Sequence, residues 1–121
     1  MGLFNYFSNV AETKERHEKR AFQTHYFKTS YAKTKDALLR VAEANQWTLK
    51  SENDTYGELF FRGKKHHLIA TLIQTSPAET AVDLKVQTYY IAGFNRPLKI
   101  IERTFQALAA DLPLKGTGLK A

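Results

Sequence analysis

Arg62-Gly63-Lys64-Lys65-His66-His67 gathers three fixed positive charges and two imidazoles into six consecutive residues, the densest such cluster in the chain. Guanidinium and ammonium groups at that density suit phosphate or an acidic protein surface. The plainer reading is a solvated hairpin turn whose lysines keep the tip from pairing with foreign strands. Adjacent histidines make a poor metal site, because neighbours in a strand point to opposite faces and cannot both reach one ion. His17 and His25 add no ligand spacing. The candidate contact set for an anion or a partner is therefore Arg62, Lys64, Lys65, His66 and His67, and neither a metal nor a cofactor is expected.

Aromatic residues interleave with basic ones in Tyr26-Phe27-Lys28 and Phe60-Phe61-Arg62, and recur at Tyr89-Tyr90. If Phe60 and Tyr89 stand on an open sheet face they can stack on bases, as in sheet-based readers of single-stranded RNA, although no ribonucleoprotein-type signature accompanies them. Cross-strand packing accounts for the same pattern. An exposed aromatic patch would equally serve as a dimer surface or a ligand groove. The carboxylates that an enzyme would need, Asp54, Glu58 and Glu102 beside Arg103, have no partner at a telling distance in sequence. Catalysis needs a constellation of groups, so no catalytic residue is assigned.

Cysteine is absent, which excludes disulfides, thiolate catalysis and cysteine-ligated zinc or iron–sulfur centres. The chain has 121 residues, 43% of them hydrophobic and 12% aromatic, enough for a single core. Its formal charge of +6 favours anionic partners, and a charge of that size also serves solubility alone. The start lacks a secretory pattern, and no run approaches the ~20 apolar residues that span a bilayer. A cytosolic location is expected.

The elements that must position these residues follow from periodicity. Between Thr80 and Ile91, Val82, Leu84 and Val86 alternate with Asp83, Lys85 and Gln87, the mark of a strand with one dry and one wet face. Leu98, Ile101, Phe105, Leu108 and Leu112 recur at helical spacing behind Asn95-Arg96-Pro97, which supplies a cap and a first-turn proline. Phe22–Thr29 reads as a strand. Ser30 caps a helix that runs to about Ala44. Trp47–Lys50 begins a strand with Trp47 and Leu49 inward, and Ser51–Asp54 is a turn. Tyr56–Arg62 and His67–Thr75 make a hairpin in which Gly63 supplies a permissive backbone, and Ser76–Glu79 turns into the strand of Val82. Short connections imply antiparallel neighbours.

At the N-terminus, Leu3, Phe7 and Val10 share one helical face, suited either to a membrane interface or to packing on the domain. Ala11–Arg20 continues as a mixed-charge helix. Met1–Tyr6 has the outline of a myristoylation signal, but Tyr6 stands where Ser or Thr is needed. The expected organisation is an N-terminal helical segment at 1–21, one α+β domain at 22–113 and a flexible tail at 114–121. In that domain an antiparallel sheet of about five strands carries two helices on one face, in the order β-α-β-β-β-β-α. Trp47, Phe61, Leu84 and Phe105 lie where helices and sheet meet, as core or as the lining of an apolar pocket.

Trp47 after a helix, the run Tyr56-Gly57-Glu58-Leu59-Phe60-Phe61, two alternating strands and a helix led by Asn95-Arg96-Pro97 form a succession that resembles small cytosolic proteins of bacteria. Their shape is similar to TATA-binding-protein-like or helix-grip-like sandwiches. The resemblance spans about Gln23 to Leu112 and implies a fold, without active-site residues to carry over. The expected function is a cytosolic binding or interaction module without catalysis, whose open face meets a protein partner or a second copy of the chain. Two alternatives stay open: a charge-driven contact with anionic membrane or nucleic acid, and a small apolar ligand held between sheet and helices.

Overall fold

A computed structural model describes residues 10–14, 22–88 and 96–118. Its elements are β1 (Val10–Glu12), β2 (His25–Phe27), α1 (Tyr31–Ala44), β3 (Thr48–Asn53), β4 (Glu58–Arg62), β5 (His66–Ser76), β6 (Glu79–Thr88), α2 (Arg96–Asp111) and β7 (Leu114–Thr117). All strands join one antiparallel sheet in the order β3-β4-β5-β6-β2-β7, with β1 also paired to β6. β2 covers Thr80–Val82 of β6 and β1 covers Lys85–Gln87, so two short strands lie end to end along one edge of β6.

The expected α+β architecture is present, with both helices of the described residues on one side of the sheet. Val82, Leu84 and Val86 are buried with Leu59, Phe61, Leu68, Ala70 and Leu72 against Leu38 of α1 and Ile101, Phe105 and Leu108 of α2. Ser30 caps α1 as expected, its hydroxyl accepting from the Lys33 amide. The other end of α1 closes without glycine. Gln46 adopts a left-handed φ of 60°, and the amides of Gln46 and Trp47 return to the carbonyls of Glu43 and Ala42. This reversal points Trp47 back at the core.

The strand count and order differ from the expectation. Val10–Glu12, read as helical, is a strand, because β6 offers it a free edge and Ala11 can pack beside the core. Leu114–Thr117, read as a tail, pairs with β2 as the seventh strand. Among the described residues the order is β-β-α-β-β-β-β-α-β. β3 continues to Asn53 past an irregularity between Leu49 and Ser51, so the turn falls at 54–57 instead of Ser51–Asp54. Leu49 is less enclosed than expected, at 38% exposure on the edge strand. Among the described residues, Gly57 and Gly118 are the left-handed glycines, and Gly63 is not one. Gly63 serves instead by lacking a side chain: a Cβ there would sit 2.3 Å from the His66 ring. The apolar helical face Leu3–Phe7, most of Ala11–Arg20, Tyr89 and the Asn95 cap fall outside the described residues.

Candidate binding surface on the open sheet face

Strand alternation divides the basic cluster between two faces. Gly63 closes the β4–β5 hairpin by donating its amide to the His66 carbonyl at 2.8 Å, leaving Lys64 and Lys65 exposed at the tip. His66 turns to the helix side, where its ring meets Trp47 edge-on with centroids 5.3 Å apart. Its Nε2 is buried without a hydrogen-bond partner, and burial, then the charge of His67, hold its pKa below the ordinary value. His67 turns to the open face. The five residues of the candidate set are thus close in space without forming one site.

Two cross-strand rows build the open face beside that tip. Arg62, His67 and Gln87 stand side by side on β4, β5 and β6. In the next row stand Phe60, Ile69, Lys85 and, on β1, Glu12. The Phe60 and His67 rings lie diagonally across these rows, centroids 5.2 Å apart and planes inclined by 32°. Both are half-buried, and Arg62 and Lys85 around them are exposed. The His67 pKa is lowered first by burial and then by the positive charges of Arg62 and Lys85, an electrostatic sign that the two cations share its surroundings.

Farther along the face the character changes. Glu58, Thr71 and Asp83 form the next row, and Asp83 is engaged internally, its Oδ1 accepting from Thr13 at 2.6 Å and Thr24 at 2.7 Å. Beyond it Ile73, Ala81 and Tyr26 stand in a row, with Ile73 54% exposed. Positive charge is therefore concentrated at the hairpin end. Lys85 is a member of this surface that the cluster at 62–67 did not reveal. Its outward position is readable from alternation, but its neighbourhood with Phe60 depends on register.

The second candidate set sits inside. Phe61, Leu84 and Phe105 belong to the continuous core, and Trp47 packs at its edge, 6.3 Å from the Phe61 ring. Of these, Phe105 also lines a recess of about 320 Å³ with His25, Glu102, Gln106, Ala109 and Leu114, between α2 and the β2–β7 edge. Of the carboxylates weighed for catalysis, Asp54 has a local role. Asp54 accepts from the Tyr31 hydroxyl at 2.9 Å and from Lys35 at 3.1 Å, and Lys35 also reaches Glu52 at 3.1 Å. The hydrogen bonds from Lys35 and Tyr31 hold the Asp54 carboxyl below its usual range. This network ties the first turns of α1 to the β3–β4 turn.

Among the described residues no group of three or more His, Cys, Asp and Glu side chains could hold a metal ion, and no helix is long and apolar enough to cross a membrane. No family model, curated protein or solved structure matches the chain.

Proposed function

We propose that the chain is a cytosolic binding module, without catalysis of its own, that holds an anionic partner on the hairpin end of its open sheet face. The observation that carries this reading is the Phe60–His67 ring pair set between the cations of Arg62 and Lys85. The three central strands β4, β5 and β6 supply these side chains, so the backbone that spaces them comes preorganised. Lys64 and Lys65 extend the positive field beyond the sheet.

Retention on immobilised heparin tests the location of the contact. The pair Arg62→Glu with Lys85→Glu is compared with Lys33→Glu and Lys99→Glu, exposed positions on the two helices, so that both variants carry the same net charge. Loss of retention in the first alone supports the reading. An equal fall in both would mean that net charge, and no particular face, does the holding, and would sink it.

The recess beside His25 favours a second reading, a small apolar ligand under α2. Its volume is at the lower end of the ~300–1,000 Å³ usual for ligand sites. Ala109→Trp would fill it. If that variant binds an apolar fluorescent probe as well as the parent does, the recess is not a ligand site.

A further inference from the structure

We propose that the anionic partner is single-stranded nucleic acid, one base stacking on the Phe60–His67 pair while Arg62 and Lys85 take the flanking phosphates; this rests on the reading of the open face given above. An acidic protein surface would be served by the cations alone, and a lipid headgroup gains nothing from a half-buried π face lying between strands. A single strand is the polymer that presents a planar ring and a negative charge in each repeat. The geometry matches that alternation. The two rings are 5.2 Å apart and run diagonally over β4 and β5. Arg62 shares the cross-strand row of His67, and Lys85 shares the row of Phe60 on the far side of Ile69. Cations therefore border the rings on two sides.

A duplex fits this surface less well, because its bases are stacked on one another and unavailable to a flat sheet. The platform is also short. Glu12 stands across from Lys85, and Glu58 begins the row beyond Phe60, so carboxylates border the patch on two sides. Lys64 and Lys65 leave the path open over the hairpin tip. The footprint is a few nucleotides, entering over the hairpin and ending before Glu58.

The test is fluorescence anisotropy with labelled 12-nucleotide oligouridylate and oligothymidylate, against a duplex of equal length, a heparin fragment and phosphatidylserine vesicles. The wild type should prefer the single strands. The logarithm of its affinity should fall against that of salt with a slope of roughly −1.4 to −2.8, as for two to four neutralised phosphates. Phe60→Leu, which keeps an apolar side chain on the face and removes the ring, should weaken single-strand binding about tenfold, while Phe60→Tyr retains it. Heparin binding should be unchanged in both, and urea midpoints close to that of the wild type show that the variants fold. Heparin and oligonucleotide bound equally, with no effect of Phe60→Leu, would overturn the nucleic-acid assignment and leave the anionic-partner reading intact. Vesicle binding without oligonucleotide binding would overturn the assignment in favour of a membrane surface. Failure to bind any of the polyanions would overturn both.

Discussion

The imidazole of His25 lies flat on the ring of Phe105, centroids 3.5 Å apart and planes 7° from parallel. Facing the Gln23 carbonyl at 2.8 Å, Nδ1 must carry the hydrogen, so the neutral ring satisfies its donor within the protein. Burial lowers the pKa of His25 from 6.5, outweighing the Gln23 hydrogen bond and the charge of Asp83, which raise it. His66 and His67 are lowered in the same direction. As pH falls below about 6.5 the unfolded chain takes up protons that the fold refuses. Stability is therefore full above that pH and declines as pH drops toward the folded-state values. Urea midpoints at pH 7.5 and 5.5 should differ in the wild type and differ less in His25→Leu. Parallel shifts in the two proteins would exclude His25 as a source of the effect.

Gly57 and Leu72 set a tighter constraint. The Leu72 amide donates to the Gly57 carbonyl at 2.8 Å, and a Cβ on Gly57 would stand 2.0 Å from the Leu72 carbonyl oxygen. The residue also has φ +68°, where a side chain is strained whatever the space. Gly57→Ala should cost about 2 kcal/mol or more, because neither obstacle can move without breaking the β4–β5 ladder. In Gly63→Ala the nearest obstacle is the imidazole of His66, the far end of a side chain, which can swing aside. Chemical denaturation should rank Gly57→Ala as clearly the worse of the two, and the reverse order would refute this account.

Features that depend on one element's own periodicity were readable from the chain. The dry face of β6 and the apolar stripe of α2 are examples, and so is the Ser30 cap, a local hydroxyl-to-amide bond. β1 and β7 were not readable. At three and four residues they are too short for a period to declare itself, and pairing with a neighbouring edge decides their state. The binding surface divides in the same way. Arg62, Lys64 and Lys65 advertise themselves as a cluster, whereas the Phe60–His67 contact and the place of Lys85 follow from registers between strands. Asp83 shows the limit most plainly. Alternation assigns it to the wet face, and only the return of the chain near Thr13 and Thr24 makes it an internal acceptor.

At the end of α1 a residue with a side chain occupies a position that glycine fills most easily. Gln46 at φ 60° carries the left-handed strain of an L-residue, about 1–2 kcal/mol. Gln46→Gly removes it, and part of the gain is lost to the greater freedom of glycine in the unfolded chain. A net stabilisation of about 0.5–1 kcal/mol is expected, read as a rise in urea midpoint at unchanged slope. Because Trp47 follows directly and packs on His66, its fluorescence maximum should stay fixed in the variant. A fall in midpoint would mean that the Gln46 side chain makes a contact worth more than the strain.

Thr13, Thr24 and Asp83 hold together the place where the chain leaves the sheet edge after β1 and returns to it before β2. The Thr13 amide donates to the Leu84 carbonyl at 2.8 Å, and the Leu84 amide donates back to the Thr13 hydroxyl at 2.9 Å. That hydroxyl passes its own hydrogen to Asp83, which accepts from Thr24 as well. Lys14 then exchanges backbone bonds with Phe22 and Thr24, drawing the end of β1 to the start of β2. Hydrogen bonds to a charged acceptor contribute about 1.5–3 kcal/mol each, and losses from one shared acceptor are not additive. Asp83→Ala should therefore destabilise by roughly 2–3 kcal/mol, because it strands two largely buried hydroxyls at once. Thr24→Val removes one donor and leaves the Thr13 bridge, so it should cost about half as much. In a double-mutant cycle the two changes should couple by more than about 0.5 kcal/mol. Hydrogen exchange should locate the loss at the Thr13 and Leu84 amides, and additive costs with unchanged protection there would show that the carboxylate does not hold the two strand ends together.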